Sequence, residues 1–123
     1  MQEMERLALR LRDFARARDW EQFHTPKNLA MALSGEVGEL LAELQWLTPE
    51  EAAAVMDDPA AATRIRGELA DVFTYLVRLA DVLGVDLLEA THTKIDENDH
   101  RYDAEKYRGS SRKAPHRPAP KRQ

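Results

Sequence analysis

The chain contains no cysteine among its 123 residues, which excludes disulfide bonds and thiolate metal sites. It also lacks an apolar run of about 18 residues, the minimum expected of a membrane-spanning helix. Its first residues do not show the basic-then-apolar pattern of a signal peptide. We therefore expect a cytoplasmic protein that has no membrane partner.

Positive charge is scarce in most of the chain and concentrated at one end. Residues 108–123 contain six basic residues and no acidic one: Arg108, Arg112, Lys113, Arg117, Lys121 and Arg122. The other residues hold 12 of the 18 basic and all 22 acidic residues, a net charge of -10. An acidic body argues against nonspecific nucleic-acid binding. We predict one domain over residues 1–107 and a disordered basic tail over residues 108–123.

Apolar residues recur at helical spacing along most of the chain, and no useful length alternates with a period of two. The predicted helices cover Glu3–Arg18, Pro26–Leu47, a short segment after Thr48, Ala60–Leu83, and a last helix from Asp86 to about Arg101. Thr25 and Gly84 are a typical N-cap and helix stop. This pattern predicts an all-α fold, an antiparallel bundle of four main helices with a short linking helix.

Two carboxylate pairs lie inside the most apolar of these helices, Glu36 with Glu39 and Glu68 with Asp71. Their helices carry apolar rows at Leu33, Val37, Leu40, Leu44 and Leu47, and at Ile65, Leu69, Val72, Leu76, Leu79 and Leu83. Both pairs have the same angular offset from their row, so an antiparallel hairpin would bring them to one side and one level. Four acids beside a core are unfavourable unless a cation binds between them.

Carboxylate oxygens are the ligands that Mg²⁺ prefers, and Mn²⁺ is the alternative ion. A cation of this kind would let an acidic site accept a polyphosphate and promote its cleavage by water. Glu36 or Glu39 is the candidate for orienting or deprotonating that water. The pattern does not separate ligand from base.

Aromatic and polar residues near the pairs are candidates for nucleotide binding. Trp20, Phe23 and His24 lie in a connector, and Trp46 and Tyr75 lie near the carboxylate rows, where they could enclose a base and sugar. Lys94, Asn98, Arg101 and Tyr102 share a face at the end of the last helix, where they could contact phosphates. Core packing, or a solvated helix end, is the structural alternative for each of them.

Three other interpretations of the acidic pattern exist. Arg64, Arg66 or Arg78 could neutralise the carboxylates as ordinary ion pairs. Three Glu-x-x-His motifs, at Glu21, Glu89 and Glu97, suggest di-iron chemistry, but two of them fall at a loop and a fraying helix end. The chain could also be a non-catalytic helical oligomerisation module with an acidic face.

The pattern Glu36-x-x-Glu39, a 28-residue spacer and Glu68-x-x-Asp71 resembles the signature of the all-α nucleoside triphosphate pyrophosphohydrolases, the MazG-like superfamily. Several other segments are similar to its dCTP pyrophosphatase branch: residues 18–24, Pro26, residues 34–40, Gln45-Trp46, residues 68–72 and residues 75–77. The segment from Asp19 to His24 is the most specific of these. The likeness covers about residues 3–112.

The resemblance implies a hydrolase that releases pyrophosphate and a nucleoside monophosphate, with Mg²⁺ held by all four carboxylates. It also implies a homotetramer, a dimer of dimers, with sites at subunit interfaces. It places Glu21 and Gln22 among the substrate-binding residues and assigns phosphate contacts to the stretch from Lys94 to Tyr102. Leu11 stands where animal members carry a base-pocket histidine, so a broader deoxynucleotide range is the alternative to dCTP.

Overall fold

The computed structural model describes residues 2–115, and all the regular structure in that range is helical. The elements are α1 (Glu3–Ala17), a 3₁₀ turn (Glu21–Phe23), α2 (Pro26–Leu44), α3 (Pro49–Ala53), a second 3₁₀ turn (Val55–Asp57), α4 (Pro59–Leu83), α5 (Leu87–Arg101) and α6 (Ala104–Tyr107). The all-α prediction is therefore confirmed. Residues 116–123 of the predicted basic tail lie outside the described residues.

The chain forms two compact units that are joined between Val85 and Asp86. The first unit contains α1 to α4, and the second contains α5 and α6. Among residues 2–115, no helix has the length and apolar character needed to cross a membrane.

Local sequence signals explain where the helices of the first unit start and stop. The Thr25 hydroxyl accepts a hydrogen bond from the Asn28 backbone N–H at 3.3 Å and caps α2. Thr48 and Glu51 form a reciprocal capping box at the start of α3. Gly84, at φ 69°, adopts the left-handed conformation that ends α4.

Helix α2 is shorter than the sequence pattern predicts, since it ends at Leu44 rather than at Leu47. The residue before a proline is disfavoured in the helical conformation, and Thr48 precedes Pro49. That restriction explains why no helix continues through Thr48, and residues 45–48 turn towards α3. Trp46 lies in this turn and is 87% exposed.

Helices α2 and α4 make the most extensive contact in the first unit and run antiparallel. Arg64, near the start of α4, pairs with Glu43, near the end of α2, at 3.0 Å. Glu36 lies earlier on α2. The negative charges of Glu68 and Asp71, which lie later on α4, contribute to the raised pKa of Glu36. Early residues of α2 therefore lie beside later residues of α4, and late residues of α2 lie beside early residues of α4. This is the antiparallel arrangement that the hairpin prediction requires.

The packed face of the α2–α4 pair differs in part from the predicted apolar rows. Leu29 and Ile65 are buried, at 1% and 6% exposure. Three row residues instead face outwards: Val37, Leu69 and Leu76 are 47%, 52% and 36% exposed. The prediction that these three lie between the helices was wrong, because helical spacing shows that an apolar row exists but not which surface covers it.

The second unit is held by contacts around the end of α5. The Tyr102 and Tyr107 rings meet edge to face, with centroids 5.1 Å apart. The Arg101 guanidinium lies 5.2 Å from the Tyr102 ring centroid and donates a 2.8 Å hydrogen bond to the carbonyl of Ala114, which is buried. Helix α6 was not predicted from the sequence.

Candidate metal and nucleotide site

Glu36 and Glu39 of α2 and Glu68 of α4, hereafter the glutamate cluster, come together in the first unit. One carboxylate oxygen from each lies within 4.8 Å of the others. Glu36 and Glu68 are partly buried between the helices, and Glu39 is exposed. A divalent cation bound by oxygen ligands needs such an arrangement, in which several carboxylates can reach one point.

Two oxygens of the glutamate cluster are buried without a hydrogen-bond partner among residues 2–115, Oε2 of Glu36 and Oε2 of Glu68. A buried carboxylate oxygen without a partner is costly, and native structures rarely leave one in that state. These oxygens therefore fit a cation.

The pKa shifts within the glutamate cluster also favour a bound cation. Burial, followed by the nearby Glu39 carboxylate, raises the pKa of Glu36 above its ordinary value. Burial and the charge of Glu39 likewise raise the pKa of Glu68. A positive ion would remove the repulsion that causes part of both shifts.

Asp71, the fourth predicted ligand, does not join the three oxygens that lie within 4.8 Å. It lies close enough for its negative charge to raise the pKa of both Glu36 and Glu68. Its side chain is exposed, as expected from its place one turn beyond Glu68 on the solvent side. The structure thus assembles three of the predicted ligands and places the fourth beside them.

Within the described part of the chain, no lysine or arginine forms an ion pair with the glutamate cluster or with Asp71. Arg64 pairs with Glu43, one helical turn away from the cluster. Arg78 pairs with Asp81 at 3.0 Å. Neutralisation of the cluster by ordinary ion pairs, one alternative raised by the sequence, does not occur in residues 2–115.

A cavity of about 70 Å³ lies between α1, the connector and α4. We call it the aromatic cavity, and it is lined by Leu11, Phe14, Trp20, His24, Thr74, Tyr75 and Arg78. Trp20 meets the Phe14 ring edge to face at 5.8 Å between centroids and lies 6.4 Å from the His24 ring. Three of the predicted substrate residues, Trp20, His24 and Tyr75, therefore share one cavity.

A chain of polar contacts runs from α1 to the cavity wall. Arg12 donates two hydrogen bonds to Asp81, at 2.7 and 3.2 Å, and Arg78 donates a third at 3.0 Å. The hydrogen bond from Arg12 is the main reason why the pKa of Asp81 is lowered. The Nε of Arg78 donates to Nδ1 of His24 at 3.1 Å.

The remaining predicted residues of the first unit lie outside the aromatic cavity. Glu21 pairs with Arg16 at 3.2 Å, and Gln22 donates hydrogen bonds to Asp19. Phe23 and Trp46 are 57% and 87% exposed.

The four predicted phosphate contacts all belong to the second unit. Lys94 forms an exposed ion pair with Glu97 at 3.3 Å, and Asn98 is partly buried on α5. Arg101 is engaged with the Ala114 carbonyl and lies beside Tyr102.

The di-iron interpretation gains no support from the geometry. In residues 2–115, the glutamate cluster is the one group of three or more acidic or histidine side chains whose ligand atoms lie within 4.8 Å of one another, and it contains no histidine. The Glu-x-x-His motifs are therefore not gathered into a metal site in that range.

Sequence reasoning overlooked Arg12, Thr74 and Asp81, and it considered Arg78 solely as a counter-ion for the acids. Arg78 and Asp81 do show the i, i+3 spacing of a helical ion pair. That spacing is common on exposed helix faces, so it did not indicate that Arg78 is buried, with 7% of its surface exposed.

The fold and the site define an all-α protein with a carboxylate cluster suited to a divalent cation and an aromatic cavity whose wall includes Tyr75, one helical turn after Asp71 on α4. The model of the MazG-like family matches residues 31–115. Because this match covers more than half of the chain, the chain belongs to the MazG-like family.

Individual relatives agree with that assignment. The chain is 48% identical over 101 residues to dCTP pyrophosphatase 1 of Homo sapiens. The aligned residues make up 82% of this chain and 59% of that protein. Its identity to dCTP pyrophosphatase 1 of Mus musculus is 46% over 99 residues, 80% of this chain and 58% of the relative. The chain thus spans under two thirds of the length of these curated relatives.

A solved structure of a pyrophosphatase from Archaeoglobus fulgidus has the same fold. It superposes with a TM-score of 0.78 at 38% identity and covers 84% of this chain and 94% of its own.

Proposed function

We propose that this chain is a Mg²⁺-dependent pyrophosphohydrolase that cleaves a deoxynucleoside triphosphate, dCTP or a related one, to its monophosphate and pyrophosphate. The observation that carries the proposal is the pair of buried, unpartnered oxygens on Glu36 and Glu68 within the glutamate cluster. The names of the relatives, dCTP pyrophosphatase and pyrophosphatase, support this reaction class.

Glu36, Glu39 and Glu68 would hold the ion, with Asp71 completing the set. Mg²⁺, or Mn²⁺ in its place, supplies positive charge that offsets the triphosphate and promotes attack by water.

The protein itself would position the attacking water and accept its proton. Glu36 or Glu39 is the proposed base. Lys94, Asn98, Arg101 and Tyr102 remain the proposed phosphate contacts, since their side chains can donate hydrogen bonds to phosphate oxygens.

The aromatic cavity would bind the base, between the rings of Trp20 and Tyr75. Its apolar walls and the imidazole of His24 suit a flat, partly polar group. Leu11 lines the same cavity and adds no hydrogen-bonding group to it. A broad or non-canonical deoxynucleotide range is therefore the second candidate for the substrate. Separately, three residues of the connector stay predicted substrate contacts: Glu21, Gln22 and Phe23.

We also propose that the chain works as a homo-oligomer, a tetramer built as a dimer of dimers. One surface of the α2–α4 pair carries exposed large apolar side chains, which we call the apolar stripe: Val37, Leu41, Leu69, Phe73 and Leu76. Large apolar side chains exposed together on one surface often mark a protein interface. A cavity of about 70 Å³ is small for a ligand pocket, so a second copy, with its exposed Trp46, would complete the site.

The remaining parts of the proposal concern organisation and location. We take residues 1–107 as the catalytic domain and residues 108–123 as a basic tail outside it. We also propose a cytoplasmic location.

The test is a screen of common ribo- and deoxynucleoside triphosphates with Mg²⁺, scored for both monophosphate and pyrophosphate. We expect dCTP to be among the best substrates and the two products to form in equal amounts. Glu39→Ala and Asp71→Ala should each reduce turnover by about 100-fold or more while circular dichroism shows unchanged helicity.

Glu50→Ala is the matched control, because Glu50 is an exposed acid on α3 outside the cluster. Full activity in both Glu39→Ala and Asp71→Ala would overturn the site. Absence of pyrophosphate release from every triphosphate would instead favour a non-catalytic helical module.

A further inference from the structure

His24 receives a hydrogen bond that determines where its own proton lies. Nε of Arg78 approaches Nδ1 of His24 at 3.1 Å. An arginine guanidinium has donors and no acceptor, so Nδ1 must be the unprotonated nitrogen. A neutral His24 in this contact therefore carries its proton on Nε2.

Arg78 is itself fixed in place. It is 7% exposed, and a second guanidinium nitrogen donates to Asp81 at 3.0 Å. Asp81 in turn accepts two hydrogen bonds from Arg12 on α1. A buried side chain held at both ends has little freedom to rotate away from His24, so the contact is built into the fold.

His24 and Arg78 both line the aromatic cavity. We propose that Arg78 is a positioning residue that holds His24 in the Nε2–H form, so that the imidazole offers the base a hydrogen-bond donor. This inference rests on the proposed function, because it assigns a role within the same nucleotide site.

The chemistry of this donor restricts what it can recognise. An Nε2–H group binds a keto oxygen or an unprotonated ring nitrogen, and it is repelled by an exocyclic amine. Burial, with the Arg78 charge as a second cause, lowers the pKa of His24, which favours the neutral ring with a single donor. The base edge that faces His24 would therefore present an acceptor, as the O2 and N3 edge of cytosine does.

The first test measures the tautomer directly in the wild-type protein. Long-range ¹H–¹⁵N NMR of the imidazole rings, assigned with His24→Gln, distinguishes a proton on Nε2 from one on Nδ1. We expect the Nε2–H form for His24 at neutral pH. A proton on Nδ1, or an even mixture, would overturn the inference without any variant of Arg78.

The second test asks whether the contact matters for binding. Arg78→Met removes the donor, and Asp81 keeps its partner Arg12. We expect a KM for dCTP about tenfold higher with kcat within about threefold, the effect of losing one hydrogen bond. Arg78→Lys, whose ammonium group also only donates, should retain both the tautomer and the KM.

Two further variants separate positioning from general damage. Arg66→Met, an exposed change on the same helix, should leave KM unchanged. In a His24→Ala background, Arg78→Met should have no additional effect on KM, because it acts through the imidazole.

The two failures are distinguishable. A wild-type protein that releases no pyrophosphate from any deoxynucleotide would overturn the proposed function, and this inference with it. Normal wild-type turnover with an unchanged tautomer and KM in Arg78→Met would overturn this inference alone.

Discussion

Glu36 of α2 and Glu68 of α4 lie against each other across the helix pair, and each buries one carboxylate oxygen that has no hydrogen-bond partner within residues 2–115. Two acids in this relationship destabilise a fold when both are charged and unliganded. Functional sites commonly lower the stability of the fold that carries them, so this arrangement is expected of a site that binds a cation.

The pKa values of these two acids predict how stability depends on pH without metal. Folding raises both above the ordinary value of 4.5, so the native state binds protons more tightly than the unfolded chain. This contribution is complete below about pH 4.5 and is lost as pH rises through the raised values. Urea unfolding in a chelator should show that fall between acidic and neutral pH.

Two changes should abolish this decrease in folding stability between acidic and neutral pH. Excess Mg²⁺ should raise the midpoint of unfolding more at pH 7 than at pH 5, because protons compete with the ion for the same oxygens. The double variant Glu36→Gln with Glu68→Gln should show neither the fall nor the Mg²⁺ effect. Identical pH profiles for this variant and the wild type would show that the glutamates are not the source.

The apolar stripe predicts an oligomer that one substitution can dissociate. Phe73 is 43% exposed at its centre, one helical turn from Leu69 and from Leu76. Burying a charge at an interface without a partner is strongly unfavourable, so Phe73→Glu should break the assembly. Light scattering should give a mass of several chains of 14.0 kDa for the wild type and a smaller mass for the variant.

Met56→Glu provides the control for this experiment, because Met56 is equally exposed, at 43%, but lies in the 3₁₀ turn before α4. We expect its mass to match the wild type. A monomeric wild type, or an unchanged mass for Phe73→Glu, would contradict the interface.

Trp20 is expected to contribute to base binding through its ring. It is 43% exposed yet is anchored against Phe14, so one face remains available in the aromatic cavity. Stacking of a base on an aromatic ring contributes about 1–3 kcal/mol, so Trp20→Ala should raise KM for dCTP by about 10- to 100-fold. Steady-state kinetics with Trp20→Phe as the conservative variant checks this.

Trp20→Phe should recover most of the affinity because a flat ring remains. Equal KM values for Trp20→Ala and the wild type would show that the base binds elsewhere.

The helical class is confirmed, and the structure brings three of the four carboxylates together, because both features depend on local periodicity. Spacing by three and four residues places side chains on one helix face, and the hairpin connection makes α2 and α4 antiparallel. Glu36, Glu39 and Glu68 follow from those two facts. Asp71 was predicted as an equal ligand, but its carboxylate lies beside the group of three whose oxygens are within 4.8 Å of one another.

Packing depends on surfaces that a single helix does not reveal, and here the sequence was less informative. Val37 and Leu69 were expected between the helices and are exposed, while the acids next to them in sequence are partly buried. An apolar row can face its own chain or a second copy, and the pattern is the same in both cases. The link between Arg78 and His24, 54 residues apart, had no local signal.

The central claim is that the glutamate cluster binds a divalent cation, and Mn²⁺ binding followed by electron paramagnetic resonance tests it most directly. The wild-type protein should take up Mn²⁺, Mg²⁺ should displace it, and Glu68→Gln should weaken binding by about tenfold or more. Glu50→Gln should bind like the wild type. Equal Mn²⁺ affinity in the wild type and Glu68→Gln would contradict the account.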